Sequence, residues 1–132
     1  MFDLKKTNGD ITIGDLTITA SLSTKDMEFL EKKYAVYLSV VNAGYISYRI
    51  TDLENGETAI SLMFYKEKIQ YISIGCGKNC ALLPFGMTDG EKKEIKRRLT
   101  LIGGEYLYPW GEVSYNEDPR GGNVSILIKY QT

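Results

Sequence analysis

The chain has 132 residues, close to the commonest size of one domain, and can bury a sizeable core without disulfides or metals. Its 43% hydrophobic and 25% charged residues exclude a disordered or fibrous protein. The net charge of -1 gives no overall attraction to nucleic acid or to an anionic membrane. No signal peptide or apolar run of about 20 residues is visible. We expect one cytoplasmic domain over residues 1–132, with no nucleic-acid or membrane partner.

Alternation of apolar and polar residues predicts a protein built mainly of antiparallel strands. The segment DITIGDLTIT contains two short strands that break at residues 14–15. Four consecutive strands then form a meander from about Ala35 to Ile74, with turns at residues 42–44, 55–56 and 66–68. The segments EVSY and NVSILIKY supply two more strands near the carboxyl end.

Two segments follow helical spacing instead. The first, STKDMEFLEKKY, begins with Ser23 as an N-cap and continues with apolar residues three and four positions apart from Met27 onward. The second, TDGEKKEIKRRLTLIGG, has Thr88 and Glu91 in capping-box spacing and ends at a glycine pair. Both are predicted to be amphipathic helices.

This order of elements predicts an α+β fold, because no strand-helix-strand repeat of the parallel type occurs. We expect a single antiparallel sheet with a central four-strand meander and with both helices packed on one face. The apolar residues of alternate positions should point toward the helices. They are Val36, Leu38, Val40, Ile46, Tyr48, Ile50, Ile60, Leu62, Phe64, Ile72, Ile74, Val124, Ile126 and Ile128.

The absence of histidine excludes Ser-His-Asp and Cys-His catalysis and most zinc sites. The acidic residues show no catalytic spacing, so we predict no enzymatic activity, no metal and no cofactor. Cys76 and Cys80 are separated by three residues in a predicted loop, whereas thioredoxin-like pairs are separated by two. They are either incidental reduced thiols or a redox-sensitive, disulfide-forming pair.

The polar face of the meander is the most informative pattern. The residues that alternate with the predicted core are Tyr37, Ser39, Tyr45, Ser47, Arg49, Ser61, Tyr65, Tyr71 and Ser73. Tyrosine and serine with an arginine are typical of protein-binding surfaces, although they also occupy the wet face of many sheets. The candidate partner-binding residues on this face are Tyr37, Tyr45, Arg49, Tyr65 and Tyr71.

Charged residues at two turns are further candidates for partner binding. Asp52, Glu54 and Glu57 cluster around residues 55–56, where they either meet a basic cleft of a partner or are simply solvated. Near the carboxyl end, the turn Asp118-Pro119-Arg120-Gly121-Gly122 is explained by backbone geometry except for Arg120. Arg120 is either solvated, paired with a nearby carboxylate, or available to a partner.

The single tryptophan, Trp110, also has two interpretations. It is either an aromatic anchor in a partner or ligand site, or a plug that closes one end of the core. The position of its fluorescence emission would distinguish exposure from burial.

The carboxyl-terminal segment WGEVSYNEDPRGGNVSILIKY resembles the closing segment of a set of small bacterial proteins, with a Trp-Gly pair, a D-P-R turn, glycine and an alternating strand. In size, acidity and layout the chain resembles the small α+β immunity proteins encoded beside polymorphic or contact-dependent toxins. The resemblance implies a cytosolic inhibitor that binds a cognate toxin domain, often a nuclease, and blocks its active site or substrate path. The alternative is a non-catalytic small-ligand-binding or interaction domain.

Overall fold

The computed structural model describes residues 2–80 and 87–131, which contain ten strands and two helices. The predicted loop after Cys80 continues through residues 81–86, which lie outside the described residues. The strands are β1 (Phe2–Leu4), β2 (Ile11–Ile13), β3 (Leu16–Ile18), β4 (Ala35–Asn42), β5 (Tyr45–Leu53), β6 (Thr58–Tyr65), β7 (Lys68–Cys76), β8 (Tyr106–Tyr108), β9 (Gly111–Asp118) and β10 (Asn123–Tyr130). The helices are α1 (Met27–Glu31) and α2 (Asp89–Leu101).

The strands form two antiparallel sheets, which corrects the predicted single sheet. Strands β1, β2 and β3 form a small sheet, and the other seven form a large sheet in the order β4-β5-β6-β7-β10-β9-β8. The predicted four-strand meander is present as β4 to β7, although it forms one side of the large sheet instead of its centre. Strands β1 and β8, each of three residues, were not predicted from the sequence.

The two helices begin close to the predicted caps. The first is shorter than predicted and consists of a 3-10 turn, Thr24–Asp26, followed by α1. The backbone nitrogen of Ser23 donates to a carboxylate oxygen of Asp26 at 2.9 Å, which fixes the start of the turn. In front of α2, the hydroxyl of Thr88 accepts a hydrogen bond from the backbone nitrogen of Glu91 at 3.2 Å. The predicted N-cap of α2 is therefore confirmed.

The buried side chains form one cluster between the large sheet, the small sheet and the helices. From α2, Ile95 and Leu99 enter this cluster, and Met27 enters it from α1. The predicted inward residues that are fully buried are Ile50, Ile60, Leu62, Phe64, Ile72, Ile74, Val124, Ile126 and Ile128. Val36, Ile46 and Tyr48 are half-buried on the same side. Both helices and the small sheet thus cover one face of the large sheet.

Two predicted inward residues of β4 differ in outcome. Leu38 pairs with Tyr48, whereas Val40 pairs with Ser47, so a β-bulge makes Ser39 the extra residue. Because paired residues project to the same face, Val40 lies with Ser47 on the polar side, and its predicted inward orientation is wrong. Leu38 points inward as predicted but is exposed, because β4 is an edge strand.

Candidate functional site

The face of the large sheet that is turned away from the helices and the small sheet is here called the outer face. The strand register brings the predicted polar residues together on it. Tyr37 of β4 lies opposite Arg49 of β5, Arg49 lies opposite Ser61 of β6, and Ser61 lies opposite Ser73 of β7. These four residues form a row across four adjacent strands. The row confirms that the polar alternation marks one face of the sheet.

The predicted tyrosines flank this row. Tyr45 lies opposite Tyr65, and their ring centroids are 4.5 Å apart. The amino group of Lys66 lies 5.3 Å from the centre of the Tyr65 ring, in the range of a cation-π contact. Tyr71 pairs with Met63 on one side and with Lys129 on the other. The tyrosines therefore supply broad aromatic area around a polar centre.

The outer face contains three adjoining cavities of about 410, 430 and 460 Å³, which together are called the outer groove. The first two share Ser61, Ser73 and Asn123, and the first and third share Arg49. The groove is therefore continuous. Its polar lining residues include Tyr37, Ser47, Arg49, Thr51, Asp52, Ser61, Tyr71, Ser73, Lys78, Glu91, Asn116, Asp118, Asn123, Ser125 and Lys129.

Arg49 is the central charged residue of the groove. Across residues 2–80 and 87–131, no side chain forms an ion pair or hydrogen bond with its guanidinium. A guanidinium presents several donors in a fixed plane and binds a carboxylate or phosphate through two parallel hydrogen bonds. Arg49 is exposed and lines two of the three cavities. It is therefore available to an anionic group that enters the groove.

Two buried serines also line the groove, Ser125 in the first cavity and Ser47 in the second. Ser125 retains only 2% of its accessible surface, and its hydroxyl oxygen has no hydrogen-bond partner in the described part of the chain. That oxygen lies beneath the groove surface, where a molecule in the groove does not reach it. Arg49 is therefore the group of the groove that an incoming anion meets.

The three acidic candidates at the β5–β6 turn lie near one end of the groove and differ in their contacts. Asp52 forms an ion pair with Lys78 at 3.0 Å, and both residues line the third cavity. Glu54 accepts a hydrogen bond from the hydroxyl of Thr58 at 2.8 Å. Glu57 is exposed. Of the three carboxylates only Asp52 lines the groove, whereas Glu54 is held by Thr58, a buried residue on the core side of the sheet.

Behind this turn, Arg98 joins α2 to the sheet. Its guanidinium lies 2.8 Å from Glu94, 3.3 Å from the Thr58 hydroxyl and 3.4 Å from the Glu57 carbonyl oxygen. Glu94 therefore forms ion pairs with both Arg98 and Arg97. The hydrogen bonds from Arg97 and Arg98 lower the pKa of Glu94 to about 2. In contrast to Arg49, Arg98 is fully engaged inside the protein.

The hairpin between β9 and β10 forms the opposite rim. A carboxylate oxygen of Asp118 accepts a hydrogen bond from the backbone nitrogen of Arg120 at 3.1 Å, and Gly122 has a φ of +66°. This arrangement confirms the predicted turn. The side chain of Arg120 is exposed and pairs with no group in the described residues, including Glu117. Arg120 therefore stands at the tip of a hairpin whose glycines line the groove.

Trp110 lies at the other end of the molecule. Its indole nitrogen donates to the carbonyl oxygen of Lys6 at 2.8 Å, and its ring stacks on Tyr108 at a centroid distance of 4.9 Å. The Tyr130 hydroxyl donates to the carbonyl oxygen of Gly9 at 2.8 Å. Both aromatic residues thus fasten the β1–β2 loop to the large sheet. These contacts support the interpretation of Trp110 as a plug.

The two cysteines lie together between the sheet and α2. Their sulfur atoms are 2.7 Å apart, and both residues are free thiols. Burial raises the pKa of Cys76 to about 12, which makes a reactive thiolate unfavourable. No group of three or more acidic or cysteine side chains in the described ranges is arranged to hold a metal ion. No described helix is long and apolar enough to span a membrane.

The residues that β9 and β10 contribute to the groove were not predicted from the sequence. Ser125, Leu127 and Lys129 project to the outer face because they alternate with the buried Val124, Ile126 and Ile128. The same period-two pattern that identified the core could have assigned them to this face. What it could not show is that β10 lies beside β7, since that pairing joins segments about 50 residues apart.

Comparisons with known proteins give one finding. No protein-family model and no curated protein matches the chain. Among solved structures, it is similar to a chain of the complex "Rhs1-CT in complex with cognate immunity protein RhsI1". The TM-score is 0.69, the match covers 99% of this chain and 88% of that chain, and the sequence identity is 14%. The resemblance to toxin immunity systems expected from the sequence is thus found in the fold, over nearly the whole chain.

Proposed function

We propose that the protein is an immunity protein that binds a cognate bacterial toxin domain and neutralises it. The observation that carries the proposal is the outer groove, a continuous tyrosine- and serine-rich depression with an unpaired arginine at its centre, on a fold found in a toxin–immunity complex. An inhibitor of this kind needs a stable scaffold and a recognition surface but no catalytic group. The groove supplies the surface, and the sheet behind it supplies the scaffold.

The chemistry of the groove suggests how inhibition works. Arg49 is exposed in two of the three cavities, where it is placed to form a bidentate pair with a carboxylate of an inserted toxin segment. Tyr37, Tyr45 and Tyr71 provide contact area at low entropic cost around this centre. A toxin segment held in this way cannot reach its substrate. The protein therefore acts by occluding the active site or the substrate path.

A nuclease is the class of toxin that we propose. Nuclease active sites commonly hold metal-binding carboxylates surrounded by basic residues that contact nucleic acid. Arg49 would meet such a carboxylate, while Asp52 at the rim of the groove and Glu54 and Glu57 in the adjoining turn would meet the surrounding basic residues. We place this encounter in the cytoplasm, as part of a contact-dependent growth-inhibition system.

Co-expression tests the proposal. The carboxyl-terminal region of the protein encoded immediately upstream is expressed with and without this chain, and growth, co-purification and integrity of cellular DNA and RNA are measured. We expect growth arrest with nucleic-acid degradation, relieved by a stable complex. Absence of both rescue and co-purification would reject the immunity function, and growth arrest with intact nucleic acids would reject the nuclease class alone.

Matched double variants test the groove. Tyr45→Ala with Arg49→Ala removes the central cation of the groove and an aromatic ring of the outer face beside it, and we expect loss of rescue with little change in thermal stability. Phe29→Ala with Arg97→Ala removes an exposed aromatic ring and an exposed arginine from the two helices, and we expect rescue to persist. If the groove variant still rescues growth, the immunity function stands but the groove is not the binding site.

A further inference from the structure

Strand β4 is a long, exposed edge of the large sheet. It pairs with β5 on one side, and no strand of the described ranges pairs with its other side. Its eight residues contain no charge, and the uncharged stretch extends from residue 35 to residue 48. Proteins usually protect such edges with charged residues, prolines, β-bulges or a covering element, because free backbone donors and acceptors invite another strand. Strand β4 carries no charge and no proline, and its single bulge, at Ser39, has regular strand on both sides.

The side chains of β4 are also exposed and apolar. The bulge at Ser39 distributes them to both faces, with Tyr37 and Val40 on the outer face and Leu38 and Val41 on the inner face. The exposed fractions are 58% for Tyr37, 60% for Leu38, 47% for Val40, 67% for Val41 and 45% for the adjacent Tyr45. The opposite edge, β8, is only three residues long. One edge of the sheet is therefore long and apolar, whereas the other is short.

The exposed area is large enough for an interface. Taking about 200 Å² for a large side chain, these fractions amount to on the order of 500 Å². This area is divided between the two faces of β4, and its total is comparable with the range of about 300–600 Å² for the largest apolar patch on an ordinary monomer. Two such patches facing each other, together with the strand backbones, reach the roughly 1,000 Å² that a stable interface requires.

We propose that β4 pairs with β4 of a second copy of this chain, antiparallel and about a two-fold axis perpendicular to the sheet. Pairing satisfies the free backbone groups of both edges at once. Because the strand carries no charge, self-pairing places no like charges opposite each other. The apolar side chains on both faces of one strand then contact those of the other.

A second copy fits this edge better than the toxin does. Another copy of the chain is present from synthesis onward and at the same concentration as the edge that it covers. Permanent interfaces are also more apolar than transient ones. The edge is apolar, whereas the groove is polar. The pairing goes beyond the proposed immunity function and does not depend on it.

Light scattering coupled to size-exclusion chromatography tests the pairing on the full chain. We expect a mass of twice 14.9 kDa at about 100 µM, and half that mass for Val41→Lys and for Leu38→Lys at the same concentration. Leu101→Lys is the matched control, because Leu101 is equally exposed but lies at the end of α2, and it should remain dimeric. A wild-type mass of one chain, or an unchanged dimer in both β4 variants, would overturn the proposal.

An experiment on the unmodified sequence covers the case in which a variant misfolds. In an equimolar mixture of isotope-labelled and unlabelled protein, we expect intermolecular nuclear Overhauser effects from the methyl groups of Val40 and Val41. A dimer without these effects is joined elsewhere and contradicts the proposal. A monomer whose β4 amides become protected from exchange only when toxin is added would also contradict it, and would assign the edge to the toxin.

Discussion

Two arginines of this protein should respond in opposite ways to substitution by alanine. Arg49 lies in the outer groove without a partner in the described residues, whereas Arg98 joins Glu94, the Thr58 hydroxyl and a backbone carbonyl oxygen. The Arg98 side chain is also only 12% exposed. Comparing Arg49→Ala with Arg98→Ala therefore tests whether the groove is a recognition surface or a part of the structural framework.

The expected magnitudes follow from these contacts. Removing Arg98 breaks one ion pair and two weaker hydrogen bonds, and Glu94 keeps Arg97, so we expect a loss of about 2 kcal/mol in the free energy of unfolding. Removing Arg49 breaks no internal bond, so the change should stay within about 0.5 kcal/mol. At this chain length, 1 kcal/mol corresponds to roughly 3–5 °C in Tm. Arg98→Ala should therefore lower Tm by about 6–10 °C and Arg49→Ala by less than about 3 °C.

Thermal unfolding followed by circular dichroism measures both changes under identical conditions. In the complex, Arg49→Ala should weaken toxin binding by about 10- to 100-fold, the usual value of a hydrogen bond to a charged group. An equal loss of Tm in the two variants would show that Arg49 is structural. That result would refute the assignment of the groove as a surface kept free for a partner.

Three further predictions concern stability and thiol chemistry. Because Arg97 and Arg98 lower the pKa of Glu94, its stabilising effect is complete above about pH 4.5 and is lost as the pH falls toward 2. Glu94→Gln should thus cost on the order of 1–2 kcal/mol at pH 7 and little near pH 2, and equal costs at both pH values would contradict this. Cys76, with its pKa raised by burial to about 12, should react with iodoacetamide at pH 8 only when the reduced protein unfolds, and rapid native labelling would be inconsistent with that burial. Tyr130→Phe leaves the Gly9 carbonyl oxygen without its 2.8 Å hydrogen bond and should lower the urea-derived stability by about 1–2 kcal/mol, whereas an unchanged urea midpoint would show that the bond contributes nothing.

Local sequence patterns were sufficient to predict the meander and α2. Each strand of the meander is long enough to show several alternations, and each turn contains residues that adopt positive φ, such as Asn55 and Gly56. The alternation also identified the face that carries Tyr37 and Arg49. The N-cap of α2 was predicted from Thr88 and Glu91, which are three positions apart. These features are encoded within short segments, so a single sequence reveals them.

Features that depend on distant segments or on one extra residue were not predictable. The separation of β1 to β3 into their own sheet depends on packing against the large sheet, which no local pattern records. The bulge at Ser39 moves the inward position from Val40 to Val41, and because both residues are apolar the sequence does not decide which of them faces inward. The sequence also does not show that Arg49 lacks a charged partner among the described residues, because this depends on where every other charged side chain lies in the fold.

The outer groove and the β4 edge can be used at the same time. A two-fold axis perpendicular to the sheet keeps the outer faces of both copies on the same side, so pairing through β4 gives one sheet of twice seven strands with two open grooves. Toxin bound in the grooves leaves this pairing intact and forms a complex of two chains with two toxins. Toxin bound along β4 would replace the second copy and leave one chain with one toxin. The mass of the complex therefore separates recognition by the groove from recognition by the edge, even if both surfaces contribute to stability.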